Sequence, residues 1–200
     1  MAIFYHGSSV YFESFDLAHA LEGAGNAKFG YGENVSEMYA SAAHYSYNKK
    51  RPEAKDHYVY TVDIPDQTPD NCLPLFKRVP VPASIVERAE AKLGETIPSE
   101  VKVEGIPFRK YLANLLVGNR TTIKQMADNT TVEAEKAASE FLLSIGVELI
   151  VWPYEWKKPE GARDMVVLDP SKIRIVRIDK VDLDQKRHLV KGSTRLVKEF

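Results

Sequence analysis

A single cysteine, Cys72, stands in 200 residues, so no disulfide can form within the chain. The size lets the chain bury a core without a disulfide or metal staple, and Cys72 reads as a small buried hydrophobe rather than a nucleophile. No apolar run approaches the roughly 20 residues that span a bilayer. The opening Met1-Ala-Ile-Phe-Tyr-His6 lacks the basic-then-apolar order of a secretory signal, so a cytoplasmic protein away from the membrane is expected. Neither sign of charge dominates: 27 Lys and Arg face 28 Asp and Glu, a net of -1, which argues against a protein built to coat nucleic acid. Nucleotide and metal signatures are missing too. The chain has no GxxxxGK[ST], GxSxG, HExxH or CxxC. Gly23-Ala-Gly25 and Gly30-Tyr-Gly32 lack the strand and helix that flank a dinucleotide fingerprint, and His6, His19, His44, His57 and His188 fall at no ligand spacing. No metal is expected. Internal repeats and low-complexity segments are absent as well.

The sequence does contain an ordered alternation of patterns. Ile3-Phe4-Tyr5 reads as a strand halted by His6-Gly7-Ser8-Ser9, and Ser36 to Tyr45 as a helix with Ser36 as its N-cap and Met38, Ala42 and Tyr45 on one face. His57 to Ile64 alternates as a strand with Tyr58, Tyr60, Val62 and Ile64 on one side. Five prolines between positions 65 and 82 predict that no regular element crosses that stretch. Helices are expected over Ser84–Leu93, closed by Gly94, and over Pro107–Leu116. The clearest helix runs from Thr131 to Ile145, with a Thr130/Glu133 capping box and Gly146 at its end. Strands follow at Glu148–Trp152, Met165–Leu168 and Ile173–Ile178. Strands at both ends and helices between them predict an α+β domain whose sheet joins both ends of the chain, with helices packed on one side. Residues 171–200 hold nine Lys/Arg and four Asp/Glu, a net of +5, which leaves 18 minus 24, or -6, for residues 1–170. The expected division is a domain over 1–178 and a basic tail over 179–200. That tail reads either as a solvated face or as a weak nucleic-acid contact.

Three segments carry a resemblance when taken in order: Tyr5-His-Gly-Ser-Ser9, residues 29–45 (FGYGENVSEMYASAAHY) and residues 163–176 (RDMVVLDPSKIRIV). They resemble motifs of the ADP-ribosyltransferase superfamily, in the branch of diphtheria toxin and the poly-ADP-ribose polymerases. The resemblance is to the compact transferase domains of phage and mobile-element polyvalent proteins and to related bacterial toxins. Residues 137–152 (AASEFLLSIGVELIVW) are similar to a further element of the polyvalent branch, so the likeness runs from about residue 4 to about 178.

The resemblance implies a split, mixed sheet around an NAD cleft and transfer of ADP-ribose from NAD to a macromolecule, protein or nucleic acid, with nicotinamide released. An antitoxin partner is within its scope. It makes His6 the residue that hydrogen-bonds an NAD ribose hydroxyl, and Gly7 the backbone that clasps the nicotinamide carboxamide, with Ser8 nearby. The family's stacking tyrosine falls on Asn34, a departure that leaves Tyr31, Tyr39 or Tyr45 to supply the ring. Its catalytic glutamate falls on Asp164, one methylene shorter, with Glu160 as a fallback in a loop that the family uses to meet its acceptor. Asp164 is needed because the glycosidic bond breaks through a cationic, oxocarbenium-like state that a carboxylate stabilises.

Each residue also has a plain reading. Asp164 would pair with Arg163 at a strand end, Asn34 would serve a turn, and Tyr39 and Tyr45 would pack their helix. Trp152, Tyr154 and Trp156 would either plug the core edge or grip a protein or nucleobase. Two other activities stay open: a non-catalytic NAD- or nucleic-acid-binding module, and an RNA 2′-phosphotransferase-like reaction.

Overall fold

Val59 and Tyr60 are neighbours on one strand and both are wholly buried, so that strand lies in the middle of the sheet with both faces covered. This strand is β3 (His57–Asp63), a central element rather than a one-sided one. The computed structural model describes residues 3–16, 29–48, 53–118 and 131–200. The other elements are β1 (Ile3–Ser8), β2 (Glu33–Ser36), α1 (Tyr39–Tyr45), β4 (Cys72–Pro74), α2 (Ala83–Leu93), α3 (Ser99–Lys102), α4 (Gly105–Leu116), α5 (Val132–Ser144), β5 (Leu149–Pro153), β6 (Arg163–Val167), β7 (Arg174–Val181) and β8 (Arg195–Glu199). The sheet has eight strands in the order β4-β5-β6-β2-β1-β3-β7-β8. Only β4 and β5 run parallel; the other pairs are antiparallel. The domain is therefore α+β with a mixed sheet, as the order of patterns predicts.

The sheet is nearly two sheets. β1 and β2 share one register pair, Tyr5 with Ser36, whereas β1 and β3 match at six positions from Ile3 with Asp63 to Ser8 with Tyr58. Apolar packing bridges the weak seam. Phe4, Tyr60 and Val62 from one half form a continuous core with Val35, Met165, Val167, Leu149 and Val151 from the other. On the opposite face, α2, α4 and α5 cover Ile150, Trp152 and Val166 through Ile85, Phe108, Leu112, Ala138 and Leu142. Cys72 is buried in the first of these cores, and desolvation pushes its thiol up to about 12, in keeping with a packing role.

The α5 helix starts as its sequence requires, one residue later than the box proposed for Thr130, which lies outside the described residues. Thr131 is the N-cap, and its hydroxyl accepts the Ala134 N–H at 3.2 Å. Several expectations need correction. His6, Gly7 and Ser8 do not halt β1 but complete it. Ser36 closes β2 instead of capping α1, whose N-cap is Met38. A short strand, β4, does cross the proline-rich stretch, because Pro74 sits at its last position and its partner β5 lies on one side only. Residues 179–200 are not an appended tail: β7 runs through position 178 to Val181, and β8 pairs along it from Arg177 with Glu199 to Lys180 with Arg195.

Candidate functional site

Of the site residues predicted from sequence, His6, Gly7, Asn34 and Asp164 lie near the seam between β1 and β2, His6 on one face of the sheet and Asn34 and Asp164 on the other. Past Tyr5, β1 follows β3 and β2 follows β6, so the two halves part beside Gly7 and Asn34. His6 closes the junction with a bond from its ring Nδ1 to the Asn34 carbonyl at 2.8 Å. A carbonyl only accepts, so Nδ1 carries the proton and the neutral ring keeps its lone pair at Nε2. The ring is held edge-on by Phe15 at 5.2 Å, Phe12 at 6.0 Å and Tyr60 at 6.1 Å. Tyr60 in turn fixes the following loop, accepting the Phe12 N–H at 2.8 Å and donating to the Val10 carbonyl at 3.1 Å.

Gly7 has no room for a side chain, but the reason is the fold. A Cβ there would lie 1.8 Å from the Ala42 carbonyl oxygen and 2.8 Å from the Ser46 nitrogen, both backbone atoms of α1 and its C-cap. The missing side chain lets a helix lie directly on β1. Ser8 ends the strand with its hydroxyl accepting the Val10 N–H at 3.0 Å, so it serves the turn.

Asp164 sits in a cross-strand row. Tyr5 faces Ser36, Ser36 faces Asp164, and Asp164 faces Trp152, so these four side chains share one face of the sheet. Asn34, two residues before Ser36, belongs to the same face, while alternation along β1 puts His6 on the other with Phe4 and Tyr60. The expected ion pair between Asp164 and Arg163 does not form. Arg163 turns to the opposite face, where Nε meets Glu37 Oε1 at 3.0 Å, Nη1 meets Gln67 Oε1 at 3.1 Å, and the backbone N–H reaches Glu37 Oε2 at 2.8 Å. Asp164 is bonded by the Ser36 hydroxyl instead, and that oxygen also accepts the Met38 N–H at 3.1 Å. One carboxylate oxygen, Oδ1, is buried with no hydrogen-bond partner among the described residues. Burial raises the Asp164 pKa above the usual carboxylate range and the Glu37 charge adds to this, against the Ser36 hydrogen bond, which lowers it.

Of the three candidate ring donors, only Tyr45 joins this group. Its phenol pKa is raised by desolvation first, then by the charges of Asp164 and Tyr154, so Tyr45 lies within electrostatic reach of both. More than half of Tyr45 is exposed. Tyr39 is a packing residue: its ring meets Tyr5 edge-on at 5.2 Å and its hydroxyl donates to the buried Asp179 at 3.2 Å. Tyr31 lies at the far end of β2 from Ser36, with its N–H on Ser139 Oγ at 2.8 Å and Lys136 over its ring at 5.5 Å. At the end of β5, Trp152 plugs the core, stacked on Phe29 at 4.6 Å, whereas Tyr154 and Trp156 in the loop that follows are exposed, as is Glu160.

Sequence reasoning missed three members of the site. Ser36 was hidden by its look of a helix cap, although its spacing from Asn34 matches one face of a strand. Ser41 is 4% exposed and its hydroxyl has no partner among the described residues; it lies one turn before Tyr45 on α1. Tyr154 was seen only as part of an aromatic loop. The basic residues of 171–200 are largely neutralised. Lys172 binds Glu148, Arg174 binds Asp63, Arg177 binds Asp179, Lys180 binds Asp56, Arg195 binds Asp182 and Lys198 binds Glu13. Among the described residues no cluster of three or more His, Cys, Asp or Glu side chains could hold a metal, and no helix is long and apolar enough to cross a membrane. Comparison with protein-family models, with curated proteins and with solved structures finds no match to this chain.

Proposed function

We propose that the chain binds NAD on the sheet face that carries Asp164, beside the seam between β1 and β2, and transfers its ADP-ribose to a macromolecular acceptor, releasing nicotinamide. One observation carries the reading: Asp164 Oδ1 is a buried carboxylate oxygen without a donor among the described residues, within electrostatic reach of a half-exposed tyrosine. A buried acceptor left unpaired costs about 1–3 kcal/mol, more when charged, and a catalytic or binding role is one of the reasons a fold retains such a group. A ribose offers hydroxyl donors to fill it, so the residues present fit the nucleotide. Tyr45 supplies a ring to cover a flat heterocycle. The Ser36 hydroxyl holds the carboxylate and leaves Oδ1 for the sugar.

In the reaction the bond between the ribose C1′ and nicotinamide breaks, with its electron pair leaving on nicotinamide. The Asp164 carboxylate stabilises the positive charge that develops on the sugar. The acceptor's lone pair then forms the new bond to C1′ and its proton passes to solvent. Asp164 must be ionised for this, and its raised pKa makes the rate climb as pH rises through that value.

The test is incubation with NAD labelled in the adenylate, together with cell lysate or nucleic acid. Label should pass to a macromolecule and nicotinamide should appear, and Asp164→Ala should abolish both. Absence of both from the unaltered protein would sink the proposal. The amide at Asn34, where the resembled family has a ring, favours a second reading, NAD binding without turnover. Calorimetry that shows NAD binding in the absence of nicotinamide release would establish it.

A further inference from the structure

The end of β7 and the segment that follows it grip α1 at both ends and in the middle. At the start of the helix, the Tyr39 hydroxyl donates to Asp179 Oδ2 at 3.2 Å, and Arg177 Nε donates to Oδ1 of the same carboxylate at 2.8 Å. In the middle, Ala42 and Ala43 pack with Leu183 and Leu189, which are joined by an isolated bridge. At the far end, His44 Nδ1 meets the Arg187 carbonyl at 3.2 Å, and the Arg187 guanidinium lies 4.1 Å from the centre of the Tyr47 ring. Arg187 has φ 65, one of only two positive-φ non-glycine residues among those described, and this bend turns both its carbonyl and its side chain onto the helix.

A seven-residue helix does not hold itself together in water, so its position is whatever its neighbours impose. β1 imposes one side through Gly7. The β7–β8 segment imposes the other. Tyr45 sits between His44 and Tyr47, the two residues that Arg187 engages, and more than half of Tyr45 is in solvent. Its own contacts therefore do little to place it. We infer that Arg187 is a positioning residue for the site: clamped on Tyr47 and His44, it fixes the end of α1 and so sets the Tyr45 ring against Asp164. This assignment of a role in ligand binding rests on the NAD reading of the site.

Arg187→Gly tests the clamp without a folding penalty from the backbone, because glycine adopts φ 65 freely while losing the guanidinium. Arg187→Lys keeps the charge and loses the planar stack. Two measurements are needed. The first is the Tyr45 ring resonance, assigned by its loss in Tyr45→Phe, followed by NMR in the free protein. It should move in Arg187→Gly and move less in Arg187→Lys, with an unchanged melting midpoint. The second is the steady-state kinetics of nicotinamide release. KM for NAD should rise about threefold in Arg187→Gly, the size of one lost cation–π contact, with kcat changed less than KM. An unmoved Tyr45 resonance in Arg187→Gly overturns the clamp whatever the enzymology shows. A moved resonance with unchanged KM overturns its role in ligand binding. Absence of nicotinamide release from the unaltered protein refutes the transfer reading instead, and the resonance then decides the clamp by itself.

Discussion

Gly7→Ala separates two reasons for a glycine at the end of β1. If the backbone were bare only to admit a ligand, alanine would weaken binding and leave folding intact. The geometry says otherwise. The added Cβ meets the Ala42 carbonyl oxygen at 1.8 Å, against 3.0 Å as the closest approach that real Cβ atoms make, so α1 must retreat by at least 3.0 minus 1.8, or 1.2 Å. The atoms in the way are backbone and cannot rotate aside. Overpacking of this kind costs roughly 1–3 kcal/mol, and the severity of this contact puts the expected loss near the upper end, about 3 kcal/mol. For a chain of this size that corresponds to a fall in melting midpoint of roughly 6–12 °C. The same retreat carries Tyr45 away from Asp164, and a misplacement of about 1 Å can cost on the order of a hundredfold in rate. Thermal or urea unfolding followed by circular dichroism measures the first effect. An alanine variant with an unchanged midpoint would refute the packing argument, and lost NAD binding in that variant would restore the ligand as the reason for the glycine.

Other changes have outcomes set by the same contacts. Arg109 and Glu135 form an ion pair between α4 and α5 with both side chains at most 3% exposed, so Arg109→Ala should cost about 3–5 kcal/mol in urea unfolding by leaving a buried carboxylate alone. Arg109→Met with Glu135→Leu should recover most of that, and equal losses in single and double variants would contradict it. Glu37→Gln removes the carboxylate that Arg163 grips and should cost about 1 kcal/mol, less at high salt. It should also lower the Asp164 pKa, seen by NMR titration of the carboxyl carbon, because the Glu37 charge helps to raise it. Asp164→Asn should stabilise the fold near neutral pH. The folded pKa of Asp164 lies above its unfolded value of about 3.9, so its contribution to stability is complete below that value and is lost as pH rises through the folded pKa. The asparagine variant's advantage in melting midpoint should therefore shrink as pH falls toward about 4, and an advantage independent of pH would count against the burial of this carboxylate.

The sequence made the architecture legible where local signals and tertiary packing agree. The α5 helix, with its capping threonine and its terminal Gly146 at φ 83, is one case, and the alternating β3 strand is another. It hid β4, whose prolines forbid a central strand and permit an edge. It hid β8 as well, because Arg195-Leu-Val-Lys-Glu199 shows more charge than alternation and its partner β7 is far back along the chain's turn. In the site, the order of the motifs put Asn34 and Asp164 on strands that prove to be paired, but it left open which of Tyr31, Tyr39 and Tyr45 lies within reach of Asp164. The partner of Arg163 did not, since adjacent residues on a strand point to opposite faces and Glu37 approaches from the other side. Nor did the use of Gly7, because a bare backbone serves a helix and a ligand equally well until the helix is placed.

The central claim is that Asp164 Oδ1 awaits a sugar hydroxyl. A crystal structure of the protein soaked with NAD tests it most directly. The expected result is a hydroxyl of the nicotinamide ribose within about 2.6–3.2 Å of Oδ1, with the Ser36 hydroxyl still on the carboxylate and the Tyr45 ring against the nicotinamide. NAD bound elsewhere, or bound at the seam with Oδ1 still unpaired, would contradict it.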